Sequence, residues 1–452
     1  MGFPKNFVWG VASSSYQVEG AWNRDGKGLS VWDTYVHEPG HIQNQDTGDT
    51  ACDQYGHIKE DIALMAEMQI KAYRFSISWP RVMPEGTGRI NQKGLDYYDR
   101  LTDQLLENGI TPYITLFHWD LPYQLYTKGG WMNRDITDYF AAYAETVVNR
   151  LSDRVKYWIT ENEPQCYIGA ALASGEHAPG LKLGKKELFL AAHHSLLAHG
   201  KAVEAIRSCA KQASVIGYAP VSWHLWSPIT EKAEDIEACR KMTFDAGEDP
   251  IGGTSWWLDP ICLGRYPDTT GYSYEAYIPD TTAEDMKIIS QPIDFIGMNV
   301  YQTYRGKAGE NGTCITIPND PGYARTNAEW PVTPEALYWG PKFYEERYHK
   351  KLYITENGLS NQDWIFLDGQ VHDLQRIDFL HRYLYQLKRA VEEGISVEGY
   401  FHWTLTDNFE WISGYNNRFG LVYTDFKNQN RIIKDSGKWY RQVIETNGEI
   451  IK

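Results

Sequence analysis

Eight short runs rich in apolar, β-branched and aromatic residues restrict the fold of this 452-residue chain more than any other feature. They are FVWGVASSSYQ (7–17), AYRFSISW (72–79), TPYITLFHW (111–119), VKYWITENEP (155–164), SVIGYAPVSW (214–223), FIGMNVYQ (295–302), LYITENG (352–358) and VEGYFHWTL (397–405). Each is close to continuously apolar, as a strand buried on both faces should be. Helical patterns separate them. Ile377, Leu380, Leu384, Leu387 and Val391 recur at helical spacing and end at Gly394, and Leu95, Tyr98, Leu101 and Leu105 do the same before Gly109. Eight strands alternating with helices predict an α/β protein, a single-domain (β/α)8 barrel over residues 1–452. A minimal barrel needs roughly 250 residues. The surplus is expected in long loops over 20–57, 120–134, 170–185, 303–333 and 406–435, which follow strand ends, where this architecture builds its sites.

The tetrapeptide I-T-E-N occurs twice, in ITENEP (159–164) and ITENG (354–358), at the ends of the fourth and seventh runs. No wider self-similarity surrounds the copies, so an internal repeat does not explain them. Strand ends of one barrel face one mouth, so the two copies deliver carboxylates to the same pocket from different sides. Paired carboxylates without metal ligands or a phosphate loop fit glycoside hydrolysis, in which one acid protonates the leaving oxygen and the other attacks carbon or activates water. A structural ion-pair network at the strand ends is the alternative. In the first copy, strand alternation puts Glu161 and Glu163 on the same side, so periodicity does not choose between them. Pro164 favours Glu163, because it stops the strand and leaves Glu163 as its last residue.

Composition narrows the function from other directions. Lys and Arg total 44 against 59 Asp and Glu, a formal charge of −15 that repels nucleic acid and anionic lipid. No apolar run reaches 18 residues and MGFPKNFVWG has no leader pattern, so the expectation is a cytoplasmic protein that does not enter membranes. The six cysteines contain no C-x-x-C pair and read as reduced thiols. Three histidines in AAHHSLLAH (191–199) fall inside a helical pattern with no carboxylate at metal spacing, so no metal is expected. The 17 tryptophans and 31 tyrosines cluster beside polar residues in FHWDLP, SWHLWSP and FHWTLTDNFEW. Such surfaces suit a sugar, which has an apolar C–H face and a hydroxyl rim; core packing is the plainer reading.

The segments ASSSYQVEGA, YRFSISWPR, LFHWDLP, TENEP, FIGMNVY, ITENG and DNFEW…NRFGLVYTDF occur in this order between residues 3 and about 440. Together they resemble the successive signatures of family 1 glycoside hydrolases. The resemblance implies a retaining β-glucosidase that acts through a covalent glycosyl-enzyme and needs no cofactor. It implies Glu163 as acid/base and Glu356 as nucleophile. Gln17, His118, Asn162 and Glu410 would bind the sugar hydroxyls, with Trp403 as floor and Trp119 and Trp411 as walls. Arg74 and Tyr301 would contact Glu356 and hold its pKa low, and Asn299 would support the acid/base side. An acid at position 161 departs from the family pattern and reads as structural.

Many family members carry Trp after N-E-P, where this chain has Gln165. An amide there, beside Trp330 at the entrance, would favour short glucose disaccharides over bulky aryl glucosides. Small β-glucosides such as cellobiose and aryl β-glucosides are therefore the expected partners, with self-association into a homo-oligomer left open. Two other functions compete: a 6-phospho-β-glucosidase, and a non-catalytic sugar-binding barrel. The first would have a Ser, Lys and Tyr cradle in place of Glu410-Trp411, and the second would have lost a carboxylate.

Overall fold

In the computed structural model, which describes residues 2–452, the eight runs form the eight strands of one closed parallel barrel. These are β1 (Val8–Ala12), β2 (Ala72–Ser76), β3 (Thr111–Phe117), β4 (Tyr157–Asn162), β5 (Val215–Ala219), β6 (Phe295–Asn299), β7 (Lys351–Asn357) and β8 (Val397–Trp403). They lie in the order of the sequence, and β1 closes the ring by pairing with both β2 and β8. The first and last parts of the chain therefore belong to one sheet, and no strand edge is left open.

Seven of the eight strands are shorter than their runs, chiefly because the runs continue into mouth loops; β7 is as long as its run and begins one residue earlier. After Ala12 the chain leaves the sheet: Ser15 N–H donates to Ser76 Oγ at 2.7 Å, and Ser15–Val18 form a helical turn that carries Gln17. The anticipated helices are present at Gln92–Glu107 and Leu374–Glu392. The first buries Leu95, Tyr98, Leu101 and Leu105; the second buries Leu380, Leu384 and Leu387, while Ile377 and Val391 are half-buried. Their apolar stripes cover the outer face of the sheet, which explains why the strands are apolar on both sides.

The barrel interior alternates small and large residues. Ala12, Ala72 and Ala219 leave room for Tyr113, Phe295, Tyr353 and Phe401. Gly10 belongs to this fit, since a Cβ there would stand 2.5 Å from the Phe401 ring and 2.8 Å from Ala72 O. Tyr113 stacks on Tyr157 with ring centroids 4.1 Å apart. Aromatic packing therefore fills the lower barrel and leaves polar chemistry to the C-terminal mouth.

The long loops rise over that mouth. Residues 303–333 contain two further strands, Tyr304–Ala308 and Cys314–Ile317, in a small sheet with Trp226–Pro228. Residues 406–435 include the antiparallel pair Val422–Thr424 and Arg431–Ile433. The three histidines of 191–199 are spread along the helix Lys185–Cys209: His193 bonds Tyr266, His194 the carbonyl of Trp131, and His199 Thr160.

Candidate active site

Glu163 and Glu356 line one cavity of about 700 Å³ at the C-terminal mouth. The two I-T-E-N copies present their residues in opposite phase. In β4 the register against β5 shifts between Ile159 and Asn162, and in β7 the register against β6 shifts between Ile354 and Glu356. Irregularities of this kind re-aim side chains at strand ends. In the first copy Asn162 points into the barrel, while Glu161 faces the surrounding helices and accepts from Tyr167 Oη at 2.8 Å and Ser195 Oγ at 3.0 Å. In the second copy Glu356 points inward, and Asn357 donates to the carbonyl of Val300 at 2.7 Å.

Two expectations are corrected here. Glu163 is the first residue beyond β4, not its last, and it does not share a side with Glu161. Its φ is +47°, in the left-handed region that non-glycine residues seldom occupy. That turn rotates its carboxyl into the cavity. Its amide donates to Ala219 O at 2.8 Å and its carbonyl accepts from Cys166 N–H at 2.9 Å, which hold the turn in place.

The carboxylates have different partners. Glu356 accepts from Arg74 Nη1 at 2.7 Å on Oε1 and from Tyr301 Oη at 2.7 Å on Oε2. Arg74 is fully buried and also donates to Thr115, the Thr355 carbonyl and Asn162. Glu163 accepts from Asn299 Nδ2 at 2.7 Å on Oε1 and meets the Cys166 thiol at 3.2 Å on Oε2. Burial, then the like charge of Glu356, pushes the Glu163 pKa up to about 8, against the bonds from Asn299 and Cys166 and the charge of Arg74. The expectation of a lowered Glu356 pKa is not met. Burial raises it, because desolvation outweighs Arg74 and Tyr301, which pull in the expected direction. Glu356 has a cation against it where Glu163 has none, so Glu163 is the one to hold the shared proton.

The residues expected to hold a sugar stand around this pair. His118, Trp119, Trp403, Glu410 and Trp411 line the cavity, as does Tyr301. Trp119 and Trp411 lie together with centroids 4.3 Å apart, and His118 is stacked beside Trp403 at 5.9 Å. Gln17 and Asn162 lie just behind, each hydrogen-bonded to a lining residue. Gln17 Nε2 donates to Glu410 Oε2 at 3.2 Å, and Asn162 Nδ2 is 3.1 Å from His118 Nε2. Since Asn162 Oδ1 already accepts from Arg74 and Asn299, its amino group is the donor to His118. The neutral imidazole, its pKa held far down by burial and Arg74, then carries its proton on Nδ1, which has no partner among the described residues. Burial and the charges of Glu356 and Glu163 push Glu410 up to about 8.

Gln165 does not belong to the entrance. Its side chain is buried and closes a reciprocal pair with Val221, donating to the carbonyl at 3.0 Å and accepting from the amide at 3.3 Å. The helical turn after Pro164 points residue 165 into the wall and residue 166 into the cavity. Trp330 does line the cavity, but packs on Tyr301 with centroids 5.0 Å apart. Cys166, His177 and Trp223 line it as well and were not anticipated. The tryptophan-rich SWHLW pointed to Trp223, whereas a lone cysteine and histidine gave no signal.

The chain matches the model of glycosyl hydrolase family 1 over residues 1–449. It is 45% identical over 450 residues to the 1,4-beta-D-glucan glucohydrolase of Thermotoga neapolitana, covering 99% of each chain. It is 46% identical over 455 residues to beta-glucosidase A of Acetivibrio thermocellus, again covering 99% of each. Its fold superposes on a beta-glucosidase from Thermotoga maritima in complex with glucoimidazole, with a TM-score of 0.90 and 44% identity over 99% of both chains. With two carboxylates in differing electrostatic settings at the mouth of a (β/α)8 barrel, this chain belongs to glycosyl hydrolase family 1.

Proposed function

We propose that this protein is a retaining β-glucosidase that removes non-reducing terminal β-D-glucosyl residues from small β-glucosides such as cellobiose and aryl β-glucosides. The observation that carries the assignment of roles is the division of partners between Glu163 and Glu356. Glu356, gripped by Arg74 and Tyr301, is the nucleophile: both donors favour its ionised form and fix its orientation. Glu163, lacking a cation and raised to about 8, is the acid.

In the first step Glu163 gives its proton to the glycosidic oxygen while Glu356 attacks the anomeric carbon. The C–O bond to the aglycone breaks and a glycosyl ester forms on Glu356. In the second step Glu163, now ionised, takes a proton from water, whose oxygen displaces Glu356 from the opposite face. Two inversions leave the β configuration. Gln17, His118, Asn162 and Glu410 would bind the hydroxyls, with the sugar resting on Trp403 between Trp119 and Trp411. Asn299 supports the acid by bonding Oε1.

A phosphorylated sugar fits this site poorly. None of the residues lining the cavity is Lys or Arg, and Glu410-Trp411 stands where a phosphate cradle would be needed. Following hydrolysis by NMR tests the proposal: β-glucose should appear first and mutarotate later. Initial α-glucose would reject the double displacement. Faster cleavage of a 6-phosphoglucoside than of its unphosphorylated twin would reject the substrate class.

A further inference from the structure

Two groups hydrogen-bond the carboxyl of Glu163, one on each oxygen. Asn299 is fixed in orientation, because its Oδ1 accepts from Thr355 Oγ1 at 2.7 Å; its amino group therefore faces Glu163 Oε1 at 2.7 Å and Asn162 at 3.0 Å. An oxygen that receives an N–H from a locked amide is a poor place for a proton. The mobile proton then belongs on Oε2, where among the described residues the only neighbour within hydrogen-bonding reach is the Cys166 thiol at 3.2 Å. Cys166 is buried to 1% exposure and faces the same cavity. Its backbone is bonded to that of Glu163, so the two side chains ride on one rigid turn.

A thiol is a weak donor and a weak acceptor. Against ionised Glu163 it can donate S–H to Oε2. Against the protonated acid it turns aside and leaves O–H free to be given to the glycosidic oxygen. A hydroxyl in its place would donate more firmly to the ionised form, and a methyl group would do neither. We propose that Cys166 is a positioning residue for proton transfer, setting Oε2 of Glu163 as the oxygen that carries the proton and holding that proton loosely enough for release. This inference rests on Glu163 being the acid/base. Burial and the neighbouring Glu163 hold the thiol pKa far up, so Cys166 stays an S–H and does not itself act as a base or nucleophile. The other titratable groups facing Glu163 are Glu356, Arg74, Tyr301 and Glu410, and none of them hydrogen-bonds Oε2.

The test compares the parent with Cys166→Val, which replaces the thiol with apolar methyl groups, and Cys166→Ser, which keeps and strengthens the donor. kcat/KM is measured against pH with cellobiose, whose leaving group needs a proton, and with a dinitrophenyl glucoside, whose leaving group does not. With cellobiose, Cys166→Val should move the alkaline limb to higher pH by about half a unit, because a weak bond to the ionised form is lost. Cys166→Ser should move it the other way. Both variants should stay within about twofold of the parent on the dinitrophenyl substrate. An unmoved alkaline limb in both variants, or a parallel fall on both substrates, would overturn the proposal and make Cys166 part of the cavity wall only. Glu163→Gln, run beside them, separates the underlying reading. If it cleaves cellobiose as well as the parent does, Glu163 is not the acid and both conclusions fall together.

Discussion

The phenol of Tyr301 stands 2.7 Å from Oε2 of Glu356, opposite the guanidinium of Arg74 on Oε1. Tyr301 is held in turn, since its carbonyl accepts from Tyr383 Oη at 2.9 Å. A hydrogen bond to a charged group contributes about 1.5–3 kcal/mol. Tyr301→Phe should therefore lower kcat/KM by roughly 10- to 150-fold. It should also move the acidic limb of the pH profile upward, because a donor that favours ionised Glu356 is gone. A limb that stays in place while the rate falls would mean that Tyr301 acts on the sugar instead.

Removing each carboxylate should have its own signature. Glu356→Gly should lose nearly all turnover and leave a hole that azide or formate can fill. Azide should restore activity and yield an α-linked glucosyl azide, because only one displacement then occurs. Glu163→Gln should keep its glycosylation rate with a dinitrophenyl leaving group and lose it with cellobiose. Product analysis and the two leaving groups distinguish these roles; the same pattern in both variants would contradict them.

Activity should follow a bell in pH. Glu356 must be ionised and Glu163 protonated, and burial with the charge of Glu356 raises the latter to about 8. kcat/KM should therefore fall as pH rises above neutrality, with limbs that are macroscopic constants of the pair. Glu163→Gln assayed with an activated substrate should lack the alkaline limb. Its persistence would point to another acid, and Glu410, also raised to about 8, is the first to examine.

Glu161 should matter for stability and not for turnover. Burial pushes its pKa up to about 8, above its unfolded value, so the folded protein binds a proton there that the unfolded chain releases. Its contribution to stability is greatest at low pH and is lost as pH rises from about 4.5 through about 8. Glu161→Gln, which cannot ionise, should flatten the decline of Tm across that window and remain active on both good and poor leaving groups. Loss of cellobiose cleavage would show that Glu161 takes part in proton transfer.

Gln165 should behave as a brace. Gln165→Ala removes both bonds to Val221 and leaves buried backbone groups unpaired, at a cost of about 1–3 kcal/mol. The ratio of kcat/KM for cellobiose to that for an aryl glucoside should stay near the parent value. A changed ratio with an unchanged Tm would return residue 165 to the aglycone side.

The repeating apolar runs and helical stripes are enough to specify the barrel, because strands buried on both faces and amphipathic helices have few other ways to pack. Strand ends at one mouth also follow from the fold, so the meeting of Glu161 or Glu163 with Glu356 could be read from chain order. What the letters could not decide is which way each side chain turns. I-T-E-N is the same in both copies, yet Glu161 faces the helices and Glu356 the cavity, because the backbone slips register at different places in the two strands. The left-handed turn at Glu163 and the helical turn after Pro164 act likewise, sending Gln165 into the wall and Cys166 to the acid. Composition and periodicity are properties of a segment and survive such shifts. The direction of one side chain depends on a single φ or a single bulge, and these are set by hydrogen bonds to neighbouring strands that are remote in sequence.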